Sequence, residues 1–208
     1  MTNELVTLES VSEQIDYGLT ASATQKNTGV RFLRITDIQD DGVNWDAVPY
    51  CECSKSDAKQ WALEKGDILF ARTGSVGKSY LIGESPRGAV FASYLIRVRL
   101  DRDVIYPPFL AYFFRTQNYW RQITEAAVGG VQLGVNATKL SELRVPVVRL
   151  PEQRRIAALL DRTDRLLKLR RYASRMSDTF LESAFVEMFG EITRNTKRMG
   201  SPEVLGLR

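Results

Sequence analysis

Residues 150–190 read LPEQRRIAALLDRTDRLLKLRRYASRMSDTFLESAFVEMFG. This stretch decides the architecture, because it reads as one long helix. Pro151 suits the first helical position, where a missing N–H costs no hydrogen bond. Glu152 favours the positive end of the helix dipole. Neither Pro nor Gly interrupts the chain until Gly190, a suitable C-terminal stop. Leu159, Leu166, Ala173 and Phe180 recur every seven residues. Ile156, Thr163, Arg170, Ser177 and Ala184 form a companion row, and Leu160, Leu167, Leu181 and Met188 widen the stripe. At ~1.5 Å per residue, about 38 residues give a rod of roughly 57 Å. A seven-residue repeat sustained over that length predicts a coiled-coil seam. The competing arrangement is a helix lying along the chain's own body. A body of about 150 residues is only about 30–35 Å across. Burying each large apolar side chain is worth roughly 1.5–3 kcal/mol, so the overhanging stripe predicts a partner helix, from another chain or another copy.

Bulk composition narrows the class. The 208 residues are 44% hydrophobic and 26% charged, enough for one globular domain and an extension. No apolar run approaches the ~20 residues that span a bilayer. The N-terminal region, with Glu4 and Glu9, has no basic segment followed by an apolar stretch, which points to the cytoplasm. The chain has no His and two Cys. Cys51 and Cys53, spaced C-x-C, cannot make a zinc site of ordinary ligand count, and free thiols are expected. Without His, the Ser-His and Cys-His nucleophile systems are excluded. Residues 1–150 carry 17 basic and 17 acidic residues, whereas residues 151–208 carry 12 and 8 and so supply the whole net charge of +4. The basic cluster Arg162, Arg165, Lys168, Arg170, Arg171 and Arg175 lies on the rod, either as a solvated face or against a partner or phosphate backbone.

Along the body, an extended piece near residue 4 leads into residues 8–15 at helical spacing. Strands are expected at 30–35, 67–71, 80–82, 89–91, 94–100 and 143–147. Helices are expected at 54–64, 109–115 and 119–127, with Pro107 and Pro108 opening the second. A turn falls at 40–42, and a short helix precedes residue 143. The fold class is α+β: a mixed body with short strands (1–149), a long spacer or dimerisation helix (150–190), and a polar tail (191–208).

Two motifs mislead. GSVGKS (74–79) is similar to a phosphate-binding P-loop, but G-x-x-x-x-G-K-[ST] requires Gly where Arg72 stands, and a strand rather than a helix follows. YPPF (106–109) is similar to the adenine-methyltransferase signature, but Tyr106 replaces the Asp or Asn that accepts from the adenine amino group. The aromatics Phe109, Tyr112, Phe113, Tyr119 and Trp120 are spaced for core packing, with base stacking as the alternative. The loop from Arg72 to Lys78 is more informative. Its glycines let backbone N–H groups approach a phosphate while Arg or Lys reaches a guanine edge. Gln132 and Asn136, in the glycine-rich run 129–136, carry amides suited to adenine.

A series of stretches then carries a family resemblance: FLRITDI (32–38), KGDILFARTGS (65–75), GVQLGVN (130–136), Val145-Pro146, LPEQRRI (150–156) entering the helix, and Met188-Phe189-Gly190 closing it. In this order and spacing the chain is similar to the specificity subunits of type I restriction-modification enzymes. The resemblance implies a target-recognition domain followed by a spacer helix. Full-length members have two such units, with helices paired antiparallel and each domain reading one half of a split DNA site. It also implies no catalytic residues and no cofactor on this chain. S-adenosylmethionine would belong to modification subunits, and ATP and Mg to a restriction subunit. Both subunits are implied partners, together with double-stranded DNA.

The chain has one recognition domain and one helix, half of that pattern. A natural half would pair with a second copy, giving a two-fold dimer and an inverted-repeat target with an unread spacer. The DNA-facing residues expected on this reading are Arg72, Thr73, Ser75, Lys78, Gln132 and Asn136, with Thr20 and Lys26 from the less patterned loop 20–28. Arg34 is expected to be structural. The pairing residues expected are Ile156, Leu159, Leu160, Thr163, Leu166, Leu167, Ala173 and Phe180. The alternatives are a stand-alone DNA-binding regulator and an unrecognised DNA-modifying enzyme.

Overall fold

A computed structural model describes residues 4–39, 42–73, 76–127 and 135–190. The turn at 40–41, Ser75, Gln132 and the polar tail lie outside the described residues. The strands are β1 (Glu4–Thr7), β2 (Ser12–Tyr17), β3 (Ala23–Thr24), β4 (Phe32–Leu33), β5 (Ile38–Gln39), β6 (Gly42–Val43), β7 (Tyr50–Cys51), β8 (Ile68–Ala71), β9 (Ser79–Leu81), β10 (Val90–Phe91), β11 (Leu95–Leu100) and β12 (Arg144–Val147). The helices are α1 (Lys55–Gln60), α2 (Pro107–Phe113), α3 (Gln117–Ala127), α4 (Ala137–Ser141) and α5 (Leu150–Phe189). The chain divides into two compact units, Met1–Ala158 and Leu159–Arg208. No helix among the described residues is long and apolar enough to cross a membrane.

The first unit is built on a four-stranded sheet in the order β2-β11-β8-β9, antiparallel throughout. Ile68 and Phe70 of β8, with Ile96, Val98 and Leu100 of β11, face α2 and α3, where they meet Leu110, Phe113, Phe114, Tyr119 and Ile123. Phe70 and Phe114 pack edge to face with ring centroids 4.9 Å apart. The opposite face carries Leu69 and Leu95 against Leu33, Leu63, Ile82 and Phe91. Arg97 and Arg99 also point to this second face, yet Arg97 is fully buried. Its guanidinium donates to the Asp16 carboxylate at 2.7 and 3.0 Å and to the Ala62 carbonyl at 2.8 Å. Arg99 makes the matching pair with buried Asp67, through Nε and Nη2 at 2.8 Å each. Both charges keep their hydrogen bonds, as buried ions must.

Residues 8–15 do not form the helix that their spacing suggests. A single 3-10 turn (Glu9–Val11) is followed by strand β2, so Ile15 reaches the core as a strand residue. Sheet pairing with β11 overrides the local period of Leu8, Val11 and Ile15. Helix α1 also ends earlier than expected, at Gln60, although Ser54 caps it by accepting from the Asp57 N–H. Arg34 is structural as expected: Nε and Nη2 hold the Asp37 carboxylate at 3.0 and 2.7 Å. Cys51 and Cys53 are free thiols. Burial, with Cys53 alongside, pushes the Cys51 thiol up to about 12, which leaves it protonated and unreactive at neutral pH.

The first turns of helix α5 belong to the first unit, where Gln153 and Ala157 are fully buried. Gln153, fully buried, accepts from the Tyr106 N–H at 2.7 Å and donates from Nε2 to the Val104 and Val148 carbonyls at 2.9 and 2.7 Å. From Leu159 onward most of the apolar stripe is open to water, with Leu159 64%, Leu166 67% and Phe180 70% exposed and Leu160 half-buried. Gly190 stops the helix at φ +74°, with its N–H on the Val186 carbonyl. Because Gln153 satisfies three backbone groups, Gln153→Leu is expected to destabilise the first unit by about 1–3 kcal/mol. Urea unfolding followed by tryptophan fluorescence measures this; an unchanged midpoint would mean those groups find water instead.

Candidate nucleic-acid interface

The antiparallel register gathers four chain segments at one end of the central sheet. There β2 ends at Tyr17, β11 begins at Leu95, β8 ends at Ala71 and β9 begins at Ser79. Tyr17, Tyr94, Arg72 and Lys78 therefore emerge side by side from adjacent strands. The Arg72 N–H donates to the Tyr94 carbonyl at 3.1 Å, and the Ala71 N–H to the Lys78 carbonyl at 2.9 Å. The Arg72 guanidinium lies over the Tyr17 ring, 5.0 Å from its centroid. Arg72, Thr73 and Lys78 are exposed. Tyr94 is 62% exposed, and Tyr17 and Trp120 are exposed as well.

Two glycines make this end possible. A Cβ on Gly18 would stand 2.3 Å from the Phe91 carbonyl oxygen, so only glycine lets the chain after β2 cross so close to β10. Leu19 then accepts from the Ser93 N–H, which brings exposed Thr20 beside the Tyr94 turn. Gly77 sits at φ +81°, with Ile123 Cγ2 2.8 Å and Trp120 Cζ3 3.1 Å from an added Cβ. The buried Tyr119 hydroxyl donates to its carbonyl at 2.5 Å, and burial pushes that phenol well above its ordinary value. Helix α3 thus holds the backbone just before Lys78.

Asn136 reaches the same neighbourhood by a different role. Its Oδ1 accepts from the Lys139 N–H at 2.8 Å and caps α4. The next N–H, of Ala137, donates to the Tyr17 hydroxyl at 3.0 Å. Of the residues expected from sequence, the structure therefore brings together Arg72, Thr73, Lys78, Thr20 and Asn136. Lys26 lies on the turn after β3, where its N–H meets Thr24 Oγ1, and no described contact joins it to this group. Ser75 and Gln132 lie outside the described residues. Sequence reasoning missed Tyr17 and Tyr94. Their signal was Gly18 directly after Tyr17 and the ends of two alternating strands. No cluster of His, Cys, Asp or Glu suited to a metal occurs among the described residues.

The end as a whole offers two cations, backbone turns and three exposed aromatic rings. That donor set suits phosphate oxygens, base edges and base faces. The family profile described as the type I restriction modification DNA specificity domain matches residues 3–173. This chain belongs to that family. Among its relatives, the putative type I restriction enzyme MjaX specificity subunit of Methanocaldococcus jannaschii is 30% identical over 171 residues, covering 79% of this chain and 40% of that protein. The type I restriction enzyme EcoKI specificity subunit of Escherichia coli is 26% identical over 166 residues, covering 76% of this chain and 34% of that protein. The specificity-domain chain thus spans less than half the length of the curated relatives it matches.

Solved structures share its fold. The HsdS subunit from Thermoanaerobacter tengcongensis matches with a TM-score of 0.56 at 20% identity, over 91% of this chain and 50% of that one. A chain in a structure of a type I R-M system matches with a TM-score of 0.64 at 21% identity, over 87% and 43%. Within the specificity domain, Gly77→Ala is expected to cost about 1–2 kcal/mol from the positive φ alone, plus crowding against α3. A thermal melt checks it; a melting temperature equal to wild type would show that the Gly77 turn can relax.

Proposed function

We propose that this chain is a DNA specificity subunit of a type I restriction-modification system and carries out no chemical step itself. The observation that carries this reading is the family match over residues 3–173, which takes in both the polar sheet end and the first part of α5. On this reading residues 1–149 recognise one half of a split target, and 150–190 form the spacer and pairing helix. Arg72 and Lys78 meet DNA first, with Thr73 and Thr20 at their sides. Modification and restriction subunits are separate cytoplasmic partners, and they bring S-adenosylmethionine, ATP and Mg. The composition supports that division: the chain has no His, its 74–79 loop lacks the P-loop spacing, and Tyr106 breaks the methyltransferase signature.

Two copies pair through antiparallel α5 helices. The exposed Leu159, Leu166 and Phe180 support this, because leaving each large side chain in water forfeits roughly 1.5–3 kcal/mol. Ile156, Leu160, Thr163, Leu167 and Ala173 complete the seam.

The deciding experiment expresses the chain with its neighbouring modification subunit in a host lacking adenine methylation, and maps the modified bases. A split inverted-repeat motif is expected, and Leu159→Glu combined with Leu166→Glu is expected to abolish it along with dimer mass. A split asymmetric motif would point to a different second specificity unit. No methylation from two soluble proteins would overturn the proposal in favour of a stand-alone DNA-binding protein. At the sheet end, Arg72→Ala is expected to weaken binding to the mapped target by about 1–3 kcal/mol. Unchanged affinity and salt slope, read by fluorescence anisotropy, would remove Arg72 from the interface.

A further inference from the structure

Among the described residues, Tyr17 touches two parts of the sheet end that lie far apart in sequence. It closes β2, paired to Ile96 of β11, so its backbone is fixed by the central sheet. Gly18 directly after it runs so close to β10 that a Cβ there would stand 2.3 Å from the Phe91 carbonyl oxygen and 2.4 Å from that of Ala92. The ring then supports the Arg72 guanidinium at 5.0 Å. The hydroxyl accepts from the Ala137 N–H at 3.0 Å. That N–H belongs to the first turn of α4 and would otherwise lack an intrahelical acceptor.

We propose that Tyr17 is a positioning residue for target recognition, a rigid joint that presents Arg72 and the start of α4 as a single surface. The proposal rests on the DNA-reading function above and names the residue that organises its site. An arginine side chain loses rotamer entropy when its guanidinium is fixed. An aromatic ring beneath the guanidinium removes part of that loss before DNA arrives, and a prepositioned group binds more tightly than a free one. Cation–π contact and edge-on hydrogen bonding use different parts of the same group, so Tyr17 and DNA do not compete for Arg72.

The two halves of the joint separate by mutation. Tyr17→Phe keeps the ring and deletes only the hydroxyl. Tyr17→Leu deletes both contacts while leaving an apolar side chain on an exposed strand end, so the sheet is retained. Binding of the full dimer to a duplex carrying the mapped target, and to a scrambled duplex, is measured by anisotropy. Tyr17→Phe is expected to weaken target binding about three- to tenfold, the worth of one hydrogen bond, with scrambled DNA little changed. Tyr17→Leu is expected to weaken it further. In an Arg72→Ala background that extra loss should vanish, because the ring then has no guanidinium to hold.

Hydrogen exchange reads the joint without DNA. The Ala137 amide is expected to exchange about fivefold faster or more in Tyr17→Phe, and at the wild-type rate in Arg72→Ala. Independent losses from Tyr17→Leu and Arg72→Ala, or target affinity unchanged in Tyr17→Leu, would overturn the proposal. Unchanged Ala137 exchange in Tyr17→Phe would also overturn it. A wild-type protein that binds target and scrambled DNA alike would instead overturn the DNA-reading function, and Ala137 exchange distinguishes that failure from failure of the joint.

Discussion

A buried arginine holds the body together. Arg97 carries its charge to the covered face of the central sheet, where a lone ion costs several kcal/mol. Three groups make that position tolerable: the Asp16 carboxylate on β2, the carbonyl of Gln60 at the end of α1, and the carbonyl of Ala62 just beyond it. Phe91 lies under the guanidinium at 5.0 Å. The cluster ties together β2, β11, β10 and the 60–62 segment. Those strands set where Tyr17 and Tyr94 emerge, so the geometry of the polar sheet end descends from this ion pair. Arg99 and Asp67 repeat the device one step along β11, which makes the covered face a row of alternating charge.

That row explains part of what the sequence hid. In 95–100, LIRVRL, the alternation looks like a half-exposed strand with arginines in water. Both arginines are instead turned inward, and their carboxylates come from residues 16 and 67, far away in sequence. No window of eleven or eighteen residues contains such a pairing. The same blindness produced the mistaken helix at 8–15: Leu8, Val11 and Ile15 sit at helical spacing, but Asp16 must face Arg97 and β2 must extend. The long helix was legible because its information is local. Seven-residue spacing, Pro151 at one end and Gly190 at the other need no distant partner.

The candidate site divides along the same line. Arg72 and Lys78 announced themselves by flanking glycines, which is local chemistry. Tyr17 and Tyr94 did not, because an aromatic at a strand end is ordinary in sequence and becomes informative only when the register sets it beside an arginine. Asn136 shows the converse. Its amide drew notice as a base reader, yet the oxygen is committed to capping α4, a use that local sequence also permits.

One pairing has a temporal meaning. Strand β1 begins at Glu4, and its antiparallel partner β12 ends at Val147. The Leu8 N–H likewise waits for the Leu143 carbonyl. During synthesis the first strand of the body leaves the ribosome some 140 residues ahead of its mate, and at about 5–20 residues per second it spends roughly 7–28 seconds as an unpaired edge. Contacts of such long sequence separation form late and slowly. The nascent chain can build the β2-β11-β8-β9 sheet once residue 100 has emerged, but the β1–β12 pair closes only as α5 itself begins to appear.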